Sequence, residues 1–169
     1  MAIIGFFLVF FYGGKDSLCY AQYSNSYSHQ PVSLIGPRIG VTIMGGEIAE
    51  ELRKEHDAIP IVTQFGWQFE WRFFSVDDGP TGVVEIIPLI GGLEQGLFLP
   101  SLAVPMGIRF NSGFEIGTGP NVSLSGFGIV LGVGQTFQSG ELYFPVNLAL
   151  VPSKKGVRFS LVFGFNTRR

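Results

Sequence analysis

The segment TQFGWQFEWRFF, at positions 63–74, alternates between large apolar and polar residues. One parity holds Thr63, Phe65, Trp67, Phe69, Trp71 and Phe73, and the other holds Gln64, Gly66, Gln68, Glu70 and Arg72. A period of two is that of a β-strand, because successive side chains of a strand point to opposite faces. One face of this strand is aromatic and the other is polar, so the fold must give the aromatic face an apolar environment.

The same alternation recurs along most of the chain. Strand-like stretches cover 34–44, 61–74, 82–92, 98–110, 113–122, 125–138, 141–152 and 156–166. NSG at 111–113, QSG at 138–140 and SKKG at 153–156 supply glycine where tight hairpins need positive φ, and VDDGPTG at 76–82 is a longer turn. Strands joined by hairpins are antiparallel neighbours, so the pattern predicts an eight-stranded up-and-down meander.

One connection differs from the hairpins. GEIAEELRKEHDAIP, at 46–60, has the composition of a short helix, with Ile48 and Leu52 one turn apart and Glu50 four residues before Lys54. Two arrangements are open for it: a solvated helical loop, or a helix folded over or into one end of a barrel.

The alternation fits either a soluble barrel or sandwich with the large residues inside, or a membrane barrel with them facing lipid. Eight strands enclose an interior only just wide enough for side chains, and eight rows of large residues would overfill it. The five aromatics from Phe65 to Phe73 would expose on the order of 1,000 Å², more than a soluble monomer tolerates. All four lysines lie outside the strand bodies, and charged residues make up only 14% of the chain.

The sequence therefore predicts an all-β, eight-stranded, antiparallel up-and-down transmembrane barrel with one short helix in its first long loop. The residues expected to face lipid are Phe65, Trp67, Phe69, Trp71, Phe73, Phe127, Phe159 and Phe163. Those expected to form a polar network in the lumen are Arg38, Gln64, Gln68, Glu70, Arg72, Glu85, Arg109, Glu115 and Arg158. Charges in a narrow lumen must pair, so we expect a salt-bridged core that closes the barrel. The open alternative is a narrow polar pore or a binding site for an anionic solute.

Catalytic, cofactor and metal sites are not predicted. His56, Asp57 and His29 are the candidates for acid-base chemistry, and no motif positions a serine or a second acid beside them. GTGP at 117–120 is followed by a strand pattern, which leaves no helix N-terminus for phosphate. A net charge of -2 without a basic patch argues against nucleic acid as a partner. We expect a protein that is not an enzyme.

The N-terminus has a different character. AIIGFFLVFFY, at 2–12, has the length of a signal-peptide core and is too short for a spanning helix. We expect a signal peptide at 1–21, a flexible leader at 22–33 and the barrel at 34–169. The alternative for the N-terminal segment is a retained anchor or a buried first element. Cys19 is the only cysteine and lies in the segment expected to be removed, although acylation of a lipoprotein cysteine is an alternative. Cleavage would leave no disulfide in the mature chain.

The motifs FGWQFE, GIRFNSGFEIGTGPN and GVRFSLVFGFN, together with the leader and the eight amphipathic strands, resemble small bacterial outer-membrane β-barrel proteins of the eight-stranded type. The resemblance covers nearly all of 32–166. It implies export to the outer membrane of a Gram-negative bacterium, with the lipid bilayer and the outer-membrane insertion machinery as partners. The expected role is structural or one of surface interaction, with the 45–60 loop as the contact surface for an extracellular partner. The alternatives are a narrow channel or small-solute-binding barrel, and a soluble periplasmic lipid-binding β-barrel.

Overall fold

A computed structural model of the chain describes residues 34–77 and 79–168. The expected signal peptide, the leader, Cys19 and His29 lie outside these residues. The described elements are β1 (Leu34–Met44), α1 (Glu47–His56), β2 (Ile61–Ser75), β3 (Thr81–Gly91), a 3-10 turn (Leu93–Gln95), β4 (Leu99–Ala103), β5 (Met106–Arg109), β6 (Phe114–Ser123), β7 (Gly126–Ser139), β8 (Leu142–Ser153), β9 (Gly156–Gly164) and β10 (Asn166–Arg168).

The ten strand segments make eight passes of one closed antiparallel barrel, which confirms the predicted fold class. β4 and β5 form a single pass, because their pairings with β3 and β6 keep the same register on both sides of the gap. The ladder is interrupted at Pro105, which has no N–H to donate. β9 and β10 likewise continue one register against β1 and β8.

Each pass pairs with the next along the chain, and β1 closes the barrel against β9 and β10. This meander gives the barrel two distinct ends. The terminal end carries Leu34, Arg168, the connection between β2 and β3, and the turns at 110–113 and 140–141. The helix end carries the 45–60 loop with α1, the 92–98 connection and the turns at 124–125 and 154–155.

Large apolar side chains point outward and polar ones point inward. On the outside, Phe127 is 69% exposed and Trp71 is 47% exposed, whereas inside Arg38 and Glu70 are each 1% exposed. The soluble lipid-binding alternative required the opposite arrangement. Large residues on the outer wall of a closed barrel are what a bilayer environment requires.

A β-bulge modifies the alternation near the end of β2. The pairing with β3 shifts register between Arg72 and Phe74, so Phe74, which strict alternation would turn inward, is exposed beside Phe73. The two rings pack edge to face with centroids 5.2 Å apart. A bulge adds one residue to a strand and so changes which residues share a face beyond it.

The helix α1 folds over the helix end of the barrel, which is the second of the two arrangements considered. Its apolar side chains Ile48 and Leu52 are buried against Met44, Ala58 and Val62. Leu97 and Leu99 pack against the same group, and the Ile48 N–H donates to the Lys155 carbonyl oxygen at 3.2 Å. Among the described residues, no helix has the length and apolar character needed to cross a membrane.

Candidate functional site

The interior of the barrel holds most of the predicted polar set. Buried there are Arg38, Gln64, Gln68, Glu70, Glu85, Arg109, Glu115 and Arg158, while the Arg72 side chain is 25% exposed. Of the expected lipid-facing set, Phe65, Trp67, Trp71, Phe73, Phe127, Phe159 and Phe163 are exposed on the outer wall, and Phe69 is half-buried there. Chemistry inside the barrel therefore depends on how the polar residues pair.

Arg109 is the centre of the charged cluster near the terminal end. Its Nη1 and Nη2 donate to the two carboxylate oxygens of Glu70 at 2.9 and 2.6 Å, a bidentate pair. Its Nε donates to Glu115 Oε2 at 2.7 Å, and Nη2 lies 3.6 Å from Glu85 Oε1. One guanidinium thus interacts with three carboxylates, the fork geometry for which arginine is suited.

A second arginine extends this cluster toward β10. Arg38 Nε and Nη2 donate to Gln68 Oε1 at 2.8 and 2.5 Å, and Nη1 donates to Asn166 Oδ1 at 2.8 Å. Gln68 Nε2 in turn donates to Glu85 Oε1 at 2.6 Å. A neutral glutamine therefore links the guanidinium of Arg38 to the carboxylates around Arg109.

The formal charges of this cluster cancel. We call it the lumen network, and its members are Arg38, Gln68, Glu70, Arg72, Glu85, Arg109, Glu115, Asn147 and Asn166. It contains three arginines and three glutamates. The outermost arginine is the most loosely held, since Arg72 Nε lies 3.5 Å from Glu70 Oε1 without a hydrogen bond. A neutral, hydrogen-bonded set of this kind is what a low-dielectric interior tolerates.

Arg158 differs from the expected single salt-bridge core. It is 8% exposed and lies near the helix end, where Nη2 donates to Asn121 Oδ1 at 2.6 Å. Its Nε is buried without a hydrogen-bond partner in the described part of the chain. None of the ion pairs found among those residues involves Arg158.

Small residues line the wall that faces these long side chains. Six small residues on neighbouring strands lie directly opposite one another, one on each strand from β5 to β9 and one on β1. In that order they are Gly107, Gly117, Gly132, Ala149, Ser160 and Thr42. They border an internal cavity of about 110 Å³ that is also lined by Arg38, Glu85 and Arg158. The wall from β5 to β8 therefore provides the space that the arginines and glutamates occupy.

Sequence reasoning missed the amides and hydroxyls that complete the hydrogen bonds. Asn147 Nδ2 donates to Glu115 Oε1 at 2.7 Å, and Thr42 Oγ1 donates to Gln64 Oε1 at 2.7 Å. Asn121 Oδ1 accepts a hydrogen bond from Arg158, and Asn166 Oδ1 accepts one from Arg38. The inward parity of each strand is the signal that could have found them.

The residues considered for acid-base chemistry lie away from the lumen network. His56 and Asp57 are exposed at the end of α1, and His56 borders a cavity at the helix end. Within residues 34–77 and 79–168 there is no group of three His, Cys, Asp or Glu side chains able to hold a metal ion.

Comparisons with known proteins identify the fold. No family model and no curated sequence matches the chain. The crystal structure of Ail, the attachment invasion locus protein of Yersinia pestis, matches with a TM-score of 0.55 and 12% identity over 83% of this chain and 99% of that one. A second Ail structure, in complex with the heparin analogue sucrose octasulfate, matches with a TM-score of 0.55 and 11% identity over the same shares. A designed transmembrane β-barrel matches with a TM-score of 0.45 and 12% identity over 82% of this chain and 98% of that one. The likeness to the two Ail structures shows that the chain has the fold of a small outer-membrane β-barrel.

Proposed function

We propose that the chain is an integral outer-membrane β-barrel protein with a structural or surface-interaction role, and that the lumen network closes its interior. The observation that carries the proposal is the outward placement of the large residues around a barrel whose polar groups pair inside. The transfer of five outward aromatic side chains of β2 from water to lipid is favourable by about 8–15 kcal/mol, at about 1.5–3 kcal/mol each.

Exposed aromatics near the terminal end support placement in a bilayer. Phe73, Phe74, Phe110, Phe114 and Phe137 are all exposed there, and the rings of Phe110 and Phe114 stack with centroids 6.1 Å apart. Transmembrane barrels carry aromatic girdles at the two membrane interfaces. We therefore place the terminal end at one interface and the helix end at the other.

The geometry favours a closed barrel over a narrow channel. Ion conduction requires a continuous polar path, but the side chains of the lumen network are hydrogen-bonded to one another across the terminal half of the interior, and the apolar contacts of Ile48 and Leu52 cover part of the helix end. We expect the purified protein to give no steady conductance in a planar bilayer. A steady, voltage-independent conductance that survives mutation of α1 would favour the channel.

The 45–60 loop is the proposed contact surface for an extracellular partner. The turns at 124–125 and 154–155 are short, so this loop is the largest feature at the helix end. Ail is described as an attachment invasion locus protein, but at 12% identity that likeness carries only the fold. The support for a surface role is the exposed polar side of α1, where Glu50 and Lys54 form an i,i+4 pair.

Two experiments test this proposal, one on an outer-membrane fraction and one on whole cells. The protein in an outer-membrane fraction should show heat-modifiable gel migration, because a closed barrel stays compact in cold detergent. In a chain with Cys19 replaced by alanine, Lys54→Cys should react with a membrane-impermeant maleimide on intact cells. Asn111→Cys, in a turn at the terminal end, is the matched control and should react only after the cells are permeabilised. Equal labelling at both positions, or failure to sediment with membranes, would refute the proposal.

A further inference from the structure

Arg158 is a buried charge whose counter-ion is missing from the described chain. Its pairing partners in register are Met44 on β1 and Val151 on β8, both apolar. Its single hydrogen bond there goes to the neutral amide of Asn121. Burying a charge without a partner costs several kcal/mol, and the neutral lumen network offers no spare carboxylate.

A cavity lies next to Arg158, at the helix end of the barrel. We call it the mouth cavity. It has a volume of about 180 Å³, whereas one water needs only about 10–15 Å³ on the same measure. α1 contributes Glu51 to its lining, and the strands and turns beneath contribute Ser123, Ser125, Lys155 and Arg158. The space is large enough for a compact polyatomic ion.

The lining of the mouth cavity favours an anion. Lys155 Nζ lies 3.7 Å from Glu51 Oε2, so these two charges offset one another and Arg158 leaves the lining with one net positive charge. The hydroxyls of Ser123 and Ser125, 2.9 Å apart, are hydrogen-bonded to each other, and they can turn to donate to an oxygen. Arginine is well matched to phosphate and sulfate oxygens, which accept its parallel N–H groups.

We propose that the mouth cavity binds one phosphate- or sulfate-type oxyanion group, with Arg158 as its principal ligand and Lys155 and the serine hydroxyls as auxiliary donors. The group can be a free ion or the end of a sugar or lipid head group, since the chemistry of the contact is the same. This site goes beyond the structural role proposed above, and its binding can be measured in detergent without reference to the location of the protein.

The direct test is calorimetric titration of the detergent-solubilised full chain with inorganic phosphate and with sulfate, at an ionic strength held constant with chloride. We expect saturable binding in the millimolar range or tighter. Arg158→Gln should raise the Kd at least tenfold, which corresponds to about 1.4 kcal/mol. Lys154→Gln, which makes the same change in charge outside the cavity lining, should leave the Kd unchanged. Absence of saturable binding, or equal binding by Arg158→Gln, would overturn the proposal.

Two exposed positions keep the test decisive if Arg158→Gln does not fold, as heat-modifiable migration would reveal. Glu51→Gln removes the one carboxylate of the cavity lining and should tighten binding, whereas Lys155→Gln should weaken it. Identical Kd values for these two variants would also overturn the proposal. Sucrose octasulfate and nanodiscs containing lipid A then distinguish a sugar-borne group from a lipid-borne one, and competition by inorganic phosphate shows whether each occupies the same site.

Discussion

Replacement of Arg109 by methionine should destabilise the barrel more than any other single change in the lumen network. The guanidinium makes three short charge-assisted hydrogen bonds, two to Glu70 and one to Glu115. At about 1.5–3 kcal/mol each, these hydrogen bonds set an upper bound of about 5–9 kcal/mol on the stability that the substitution can remove. Removing one partner of a buried ion pair costs about 3–5 kcal/mol, because the remaining charge stays buried. We expect a loss of about 3–5 kcal/mol.

The measurement is urea unfolding of the protein in lipid vesicles, followed by the fluorescence of Trp67 and Trp71. Arg72→Met is the matched control, since it also removes an arginine that faces Glu70. Within the described residues, Arg72 Nε has no hydrogen-bond partner, and the Arg72 side chain is 25% exposed. Arg72→Met should therefore cost no more than about 1 kcal/mol.

A double-mutant cycle with Glu70→Gln isolates the pair itself. Arg109 and Glu70 are in direct contact. The loss of unfolding free energy in the double variant should therefore be smaller than the sum of the losses in the two single variants, by about 0.5–3 kcal/mol. If Arg109→Met and Arg72→Met were equally stable, or if the two losses were additive, Arg109 would not be the centre of the network and this account of the lumen would be wrong.

Three further changes test other parts of the structure. Gly156 has φ +146, and a Cβ there would collide with the backbone before α1, whereas Gly140 has φ +61 with open space around it. Gly156→Ala should therefore lower the unfolding free energy by about 1–3 kcal/mol, clearly more than Gly140→Ala, and equal losses in denaturant titrations would contradict the close approach. Leu131→Arg, on the outer wall midway along β7, should cost about 2–4 kcal/mol in vesicles if that wall faces hydrocarbon, and an unchanged midpoint would argue against it. Partial desolvation acts to raise the pKa of Glu94, but the hydrogen bonds from Thr63 outweigh it and hold the pKa below its ordinary value of 4.5. The stabilisation by Glu94 is complete above pH 4.5 and is lost as the pH falls through the lower folded-state pKa. Glu94→Gln should therefore be less stable than the parent at neutral pH and should converge with it in acid, as denaturation at both pH values would show.

Strand positions and the direction of each side chain could be predicted from the sequence, because a period of two decides both at once. The eight predicted stretches match the eight passes, and Pro105 interrupts hydrogen bonding without changing the register. The outward direction of Phe74 could not be predicted. One inserted residue at a bulge reverses the alternation, and nothing in FEWRFF indicates where the insertion falls. Coverage of the barrel end by α1 could not be decided either, since an amphipathic helix of ten residues is equally compatible with both arrangements.

Pairing inside the lumen could not be predicted, because it depends on the stagger between strands and not on the parity within one. The register places Glu70 directly opposite Glu85, and like charges in that position are destabilising. Arg109 lies opposite Glu115 on β6, and its side chain reaches over β3 to Glu70, so it neutralises a repulsion that the register creates.

At the helix end, the stagger between strands leaves a charge without a partner of opposite charge among the described residues. Arg158 falls between Met44 and Val151 in register, and no acidic residue of the neighbouring strands shares its level. An arginine conserves its charge in any protein environment, so it cannot relieve this burial by losing a proton. The terminal half of the lumen is therefore self-neutralised and suited to holding the barrel together, while the helix half keeps a net positive charge beside a cavity. That difference between the two halves follows from the register alone, and it separates the residues that stabilise the barrel from those available to bind something.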